Sequence, residues 1–170
     1  MRRRRLLGLV VALVVAGAVA ASRQAAGPPA VADTDVAVVR IVDGDTLIVT
    51  GGVRVRLIGI NTPESVDPRR PVECFGKEAS AALAGMVPPG TPVRLVYDVE
   101  RRDDFERTLA YLYRQTDGLF VNAALVEQGF AQPATFPPNV AHADEFAALA
   151  RTAREAGAGL WSSCRGSPSE

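Results

Sequence analysis

Residues 41–64 read IVDGDTLIVTGGVRVRLIGINTPE and hold a dense set of side chains able to do chemistry. Asp45 and Asn61 offer hard oxygen ligands, and a backbone carbonyl near Thr62 can add another. Oxygen-only ligation favours Ca²⁺ or Mg²⁺ over zinc. His142 is the only histidine, so no His/Cys cluster competes for a softer metal. Glu64 stands three residues beyond Asn61 and directly follows a proline that stiffens the turn. A carboxylate there can orient or deprotonate an attacking water. Arg56 can hold a phosphate, and Arg107 can be the second arm of a clamp. Two guanidiniums and a cation suit the extra charge that builds up in phosphoryl transfer. The chemistry indicated is metal-assisted cleavage of a phosphodiester.

Each piece has an ordinary explanation as well. Asp-Gly-Asp is common in turns, alternating arginines can form a solvated strand face, and Thr-Pro-Glu is a common loop tripeptide. The elements that would position these residues start with a hairpin. An apolar-rich segment, 45–50, turns at Gly51-Gly52 and returns through 53–60. In the return segment Val53, Val55 and Leu57 alternate with Arg54 and Arg56, a period of two. Further strands are expected over 36–42, 92–99 and 108–113, with a charged connection at 101–106. Helical spacing appears over 75–86, 121–127 and 142–156, and 132–139 reads as a proline-rich loop. Leu160-Trp161 is expected to pack back on the body. The pattern is α+β, and five short strands with an intervening helix fit a small closed barrel of the OB type.

The chain of 170 residues suits one domain with a real core. Its formal net charge of zero includes four arginines within the first five residues. Without residues 1–20, 15 basic face 19 acidic side chains, a net of −4. That balance argues against unspecific polyanion binding and requires any nucleic-acid site to be a local basic patch. Lys77 is the only lysine, so arginine carries nearly every cationic role. Arg2 to Arg5 precede the apolar run 6–20, which ends Ala-Val-Ala. This is the layout of a secretory signal peptide, with an uncleaved membrane anchor as the alternative. Either places the body outside the cytoplasm. Residues 21–35 read as a linker, 36–164 as the domain and 165–170 as a tail. Cys74 and Cys164 are the only cysteines, and an even count in an exported chain implies a disulfide. Two free thiols are the alternative.

Five collinear blocks, IVDGDT, RLIGINTPE, ER-TLAYLY, VNAALVEQGFA and GLW, resemble the thermonuclease, or staphylococcal-nuclease-like, family from about Val36 to Trp161. The resemblance implies a five-stranded OB barrel with three helices. It also implies Ca²⁺-dependent hydrolysis of DNA and RNA that leaves 3′-phosphate ends. By position, Asp45 matches the metal-binding aspartate, and Thr62 the residue whose carbonyl ligates calcium. Glu64 matches the catalytic glutamate, and Arg56 and Arg107 match the two phosphate-binding arginines. The second metal position, usually Asp, is Asn61, which keeps an oxygen but removes a charge. The block before Arg107 usually reads Asp, basic residue, Tyr, Gly. Here it is Asp103-Asp104-Phe105-Glu106. Phe105 keeps an aromatic face able to stack on a base or sugar, and Phe136 occupies a tyrosine position in the proline-rich loop. Ordinary packing is the alternative for both. DNA or RNA is the implied partner. No protein partner is implied, and membrane contact arises only through an uncleaved N-terminus. The competing function is a non-catalytic extracellular OB module that binds nucleic acid.

Overall fold

The computed structural model describes residues 33–66, 68 and 71–164. The expected signal segment, most of the expected linker and the tail lie outside these residues. In chain order the elements are β1 (Thr34–Ile41), β2 (Thr46–Val49), a 3₁₀ turn (Thr50–Gly52), β3 (Val53–Leu57), β4 (Gly59–Asn61) and α1 (Gly76–Met86). There follow β5 (Pro92–Val96), β6 (Thr108–Arg114), α2 (Val121–Glu127), β7 (Gln132–Ala134), α3 (Ala143–Ala156) and α4 (Leu160–Ser163). Five strands close a barrel in the order β1-β2-β3-β6-β5, which confirms the α+β, five-stranded OB-type expectation. The three expected helices are present, and Leu160-Trp161 opens a fourth of only four residues.

Closure depends on β1. Its register shifts between Val38 and Arg40, so residues 34–37 pair with β5 while 38–41 pair with β2. A bulge of this kind bends a strand enough to serve two neighbours. The alternation seen in the sequence is the inside–outside alternation of the barrel: Val55 and Leu57 are fully buried, as are Leu47, Val49, Val93 and Leu95. Phe146 and Ala150 of α3 and Leu125 of α2 complete the core.

The third strand ends earlier than its apolar run suggests. The chain breaks after Leu57, and β4 leaves the barrel to pair antiparallel with β7, Asn61 opposite Gln132. Part of the segment expected as a loop is therefore a strand. Gly59 makes the break, with φ of 77° and no room for a side chain, since a Cβ would lie 2.5 Å from the Phe146 ring. Buried Asn122 accepts a hydrogen bond from the Leu112 N–H at 2.9 Å and donates one to the Ile58 carbonyl at 3.0 Å. It thereby satisfies backbone groups that the strand ladder abandons.

Candidate active site

The Asp43-Gly44-Asp45 turn joins β1 to β2. The N–H groups of Val42 and Asp43 both donate to the Thr46 carbonyl, and Asp43 Oδ1 accepts the Asp45 N–H at 3.0 Å. Gly44 is required by close approach. A Cβ there would lie 2.7 Å from Thr62 Oγ1 and 2.9 Å from Ala79 Cβ of α1. The Asp45 side chain turns inward. Its Oδ2 accepts the Thr62 N–H at 2.9 Å and the Thr62 hydroxyl at 3.1 Å, and pairs with Arg56 at 3.2 Å. Its Oδ1 accepts the Thr46 hydroxyl at 3.2 Å. Burial, reinforced by the neighbouring Asp45 charge, raises the Asp43 pKa to about 6.

Arg56 projects from β3 with its side chain only 14% exposed. One terminal nitrogen donates to the Leu57 carbonyl. The other donates to the Ile60 carbonyl at 3.0 Å and to Asn61 Oδ1 at 3.1 Å, and also pairs with Asp45. One guanidinium nitrogen thus joins the oxygens of Asp45 and Asn61. Burial lowers the Arg56 pKa from its ordinary value. The Asp45 carboxylate opposes this, and the like charge of Arg107 adds to it.

Arg107 arrives from a distant part of the chain because β3 and β6 pair in parallel. Thr108 stands opposite Val55 and Leu109 opposite Arg56, which sets the residue before Thr108 beside β3. Asp103 holds Arg107 in place. Its Oδ1 accepts the Arg107 backbone N–H at 2.9 Å and the Phe105 N–H at 3.0 Å, and its Oδ2 accepts Arg107 Nε at 2.7 Å. Burial pushes the Asp103 carboxyl up, but the bonds and charge from Arg107 outweigh it, and its pKa is lowered. Phe105 is 79% exposed, and the Arg107 guanidinium lies 5.4 Å from its ring centre.

A cavity of about 460 Å³ gathers Arg56, Asn61, Asp103, Phe105, Arg107 and Phe136 along its wall. Of the residues singled out from the sequence, Arg56, Asn61, Phe105, Arg107 and Phe136 share this cavity. Asp45 and Thr62 are both buried and are joined to it through Arg56. Glu64 stands apart from the lining: its Oε1 accepts the N–H groups of Ser65 at 2.8 Å and Val66 at 2.7 Å. Cys74 and Cys164 form the expected disulfide.

Three residues escaped sequence reasoning. Asp43 was signalled by the Asp-Gly-Asp doublet, but its raised pKa depends on burial. Asn139 bonds both backbone groups of Glu100 at 2.8 Å and so ties the proline-rich loop, with Phe136, to the cavity wall. Thirty-nine residues separate the pair, and no local pattern announces it. Glu73 contacts Glu64 across the loop between them.

Among the described residues no group of three His, Cys, Asp or Glu could hold a metal ion by itself. The oxygen donors gathered here are the Asp45 carboxylate and the Asn61 amide, both now bonded to one Arg56 nitrogen, with Thr62 bonded to Asp45 and the Asp43 carboxylate beside them. This all-oxygen set fits a hard cation of the Ca²⁺ type with one formal charge fewer than a second aspartate would provide.

Residues 54–163 match the family model described as Staphylococcal nuclease homologue. A thermonuclease of Staphylococcus intermedius is 43% identical over 103 residues, covering 59% of this chain and 60% of that protein. The thermonuclease of Staphylococcus hyicus is 34% identical over 128 residues, 74% of each chain. The SPbeta prophage-derived endonuclease YokF of Bacillus subtilis is 37% identical over 133 residues, 75% of this chain and 44% of its own. The chain therefore spans between 44% and 74% of the length of these relatives.

Proposed function

Because the chain belongs to the staphylococcal nuclease homologue family, we propose that it is an exported, Ca²⁺-dependent nuclease that hydrolyses phosphodiester bonds of DNA or RNA. The observation that carries this is the convergence of Arg56 and Arg107 on one cavity beside the Asp45, Asn61 and Thr62 oxygens. Two guanidiniums on one cavity can hold the non-bridging oxygens of a phosphodiester and stabilise their growing charge. Arg56 exchanges part of its present set of oxygen partners for the substrate's. Asp45, Asn61 and Thr62 would hold the calcium ion, which supplies further charge neutralisation at the phosphate. Glu64, assigned by its place in the Thr-Pro-Glu block of the family resemblance and lying outside the cavity lining, takes the proton of the attacking water. The water oxygen bonds to phosphorus and the bond to the 5′-oxygen breaks. That oxygen takes a proton from solvent water, leaving a 3′-phosphate and a 5′-hydroxyl, and Glu64 returns its proton to solvent. Phe105 gives a base or sugar a face to stack on. The arginine-rich apolar leader and the disulfide support export, since disulfides persist in oxidising compartments.

The test is incubation of the purified mature chain with single-stranded DNA in Ca²⁺ or in EDTA, followed by analysis of the ends. Calcium-dependent cutting that disappears in Glu64→Ala is expected, with 3′-phosphate ends. The acidic Asp103-Asp104 pair and Asn61 favour a second possibility, a module that binds without cutting. Retention of DNA by the wild-type chain with no cleavage in either condition would establish it and overturn the nuclease.

A further inference from the structure

The carboxylate assigned to water activation sits at the start of a loop, yet its backbone is fastened on both sides. The Glu64 N–H donates to Glu73 Oε2 at 2.9 Å, and the Glu73 N–H donates to the Glu64 carbonyl at 2.8 Å. Glu73 thus grips the Glu64 peptide units with one side-chain and one backbone bond across nine residues. Glu64 completes the arrangement by accepting the N–H groups of Ser65 and Val66 on Oε1. Glu73 therefore fixes the backbone from which the Glu64 carboxylate extends.

Glu73 is held directly at its carbonyl and indirectly through the two residues that follow it. Its carbonyl accepts the Gly76 N–H at 3.1 Å at the start of α1. Phe75 adopts a left-handed φ of 71° and stacks on Phe130, ring centres 5.5 Å apart. Cys74, the next residue in the chain, is bonded to Cys164 at the end of α4. The α4 helix is itself tied to the end of α2 by the bond from the Leu160 N–H to the Gly129 carbonyl at 2.9 Å. The loop's far end is thus covalently fixed to the helical side of the fold.

We propose that Glu73 is a positioning residue for Glu64, and that the Cys74–Cys164 bridge keeps it in register. This rests on the nuclease assignment for Glu64. A small displacement of a catalytic group changes the rate of the chemical step far more than it changes substrate binding. Reduction of the bridge therefore slows turnover before it unfolds the protein.

The experiment combines amide hydrogen exchange by NMR, in metal-free protein, with steady-state cleavage of single-stranded DNA in Ca²⁺. Glu73→Ala is expected to speed exchange at the Glu64 N–H and to lower kcat about tenfold or more with KM unchanged. Glu73→Gln keeps an acceptor oxygen at the same reach and restores both. The double variant Cys74→Ser/Cys164→Ser, verified as folded by circular dichroism, shows the same pair of changes in milder form. Unchanged exchange at Glu64 in Glu73→Ala, or a loss expressed in KM alone, overturns the proposal. Exchange is read without substrate, so it decides the Glu73 contact independently. A wild-type chain that cuts nothing would sink the nuclease assignment, whatever the exchange shows.

Discussion

Asn61 sets the charge of the candidate metal site. Its amide oxygen now accepts a bond from Arg56, in company with the Asp45 carboxylate. A carboxylate at this position would add a full negative charge next to the cation, where even a screened unit pair at 4 Å is worth a few kcal/mol. Asn61→Asp should therefore tighten calcium binding about tenfold or more in a calorimetric titration. Unchanged affinity would remove residue 61 from the ligand set. Asp103 is the other residue whose charge state matters. Its pKa is lowered in the folded chain, so the stability it contributes is complete above the ordinary value of 3.8. That contribution is lost as the pH falls through the lowered value. An NMR titration of its carboxyl should show a midpoint below 3.8, and Arg107→Gln should move that midpoint upward. A midpoint indifferent to Arg107 would mean that the ion pair does not hold the arginine.

At the scale of elements, the parallel pairing of β3 with β6 aligns the two arginines, and the tight turn before β6 aims the second one. That turn contains the one clear departure from local backbone preference near the cavity. Glu106 has φ of 60°, a left-handed conformation that glycine adopts without a Cβ clash. Glycine, which the family resemblance implies at this position, would carry no such strain. The side chain gains little in return, since its pair with Arg102 is well exposed on both sides. Glu106→Gly should stabilise the chain by about 1 kcal/mol in urea denaturation, with the Phe105 and Arg107 bonds to Asp103 retained. A destabilised variant would show that the Arg102 pair outweighs the backbone strain. The β4–β7 ribbon also contributes to the cavity: it carries Asn61 and leads into the loop that bears Phe136.

At the scale of the whole molecule, the body is net acidic at −4, and the cavity itself is of mixed charge: Arg56 and Arg107 share its wall with Glu100, Asp103 and Asp104. The proposed attraction to a phosphate backbone therefore rests on two guanidiniums and not on a broad basic surface. The covalent constraint acts on a larger scale. The bridge closes a span of 90 residues that includes α1, two barrel strands, α2 and α3. Chain-entropy arithmetic for a loop of that length gives about 4–5 kcal/mol of stabilisation through the unfolded state. Cys74→Ser/Cys164→Ser should lose a comparable amount in guanidinium denaturation, read from the free energy extrapolated to water, with a steeper slope because the uncross-linked denatured state is more open. A loss below about 1 kcal/mol would mean that the bridge adds little beyond the packing of α4.

The sequence by itself determined the hairpin, the helices and the two-cysteine bridge. Period-two alternation and helical spacing are written locally, and two cysteines allow only one intramolecular pair. It also selected Asp45, Arg56, Asn61, Thr62, Glu64, Phe105 and Arg107 as the residues to watch. Tertiary structure decided how they stand to one another. The break at Ile58 depends on the Phe146 ring against Gly59, and the approach of Arg107 to Arg56 depends on parallel pairing across some fifty residues. Asp45 lies against Arg56, and Glu64 bonds to its own loop and to Glu73. None of these follows from a local period. The Asp45–Arg56 pair spans the hairpin and the Glu64 bonds are local, whereas the meetings of Gly59 with Phe146 and of Arg107 with Arg56 are set by burial and by contacts between segments far apart in the chain, which residue spacing along one strand or helix does not encode.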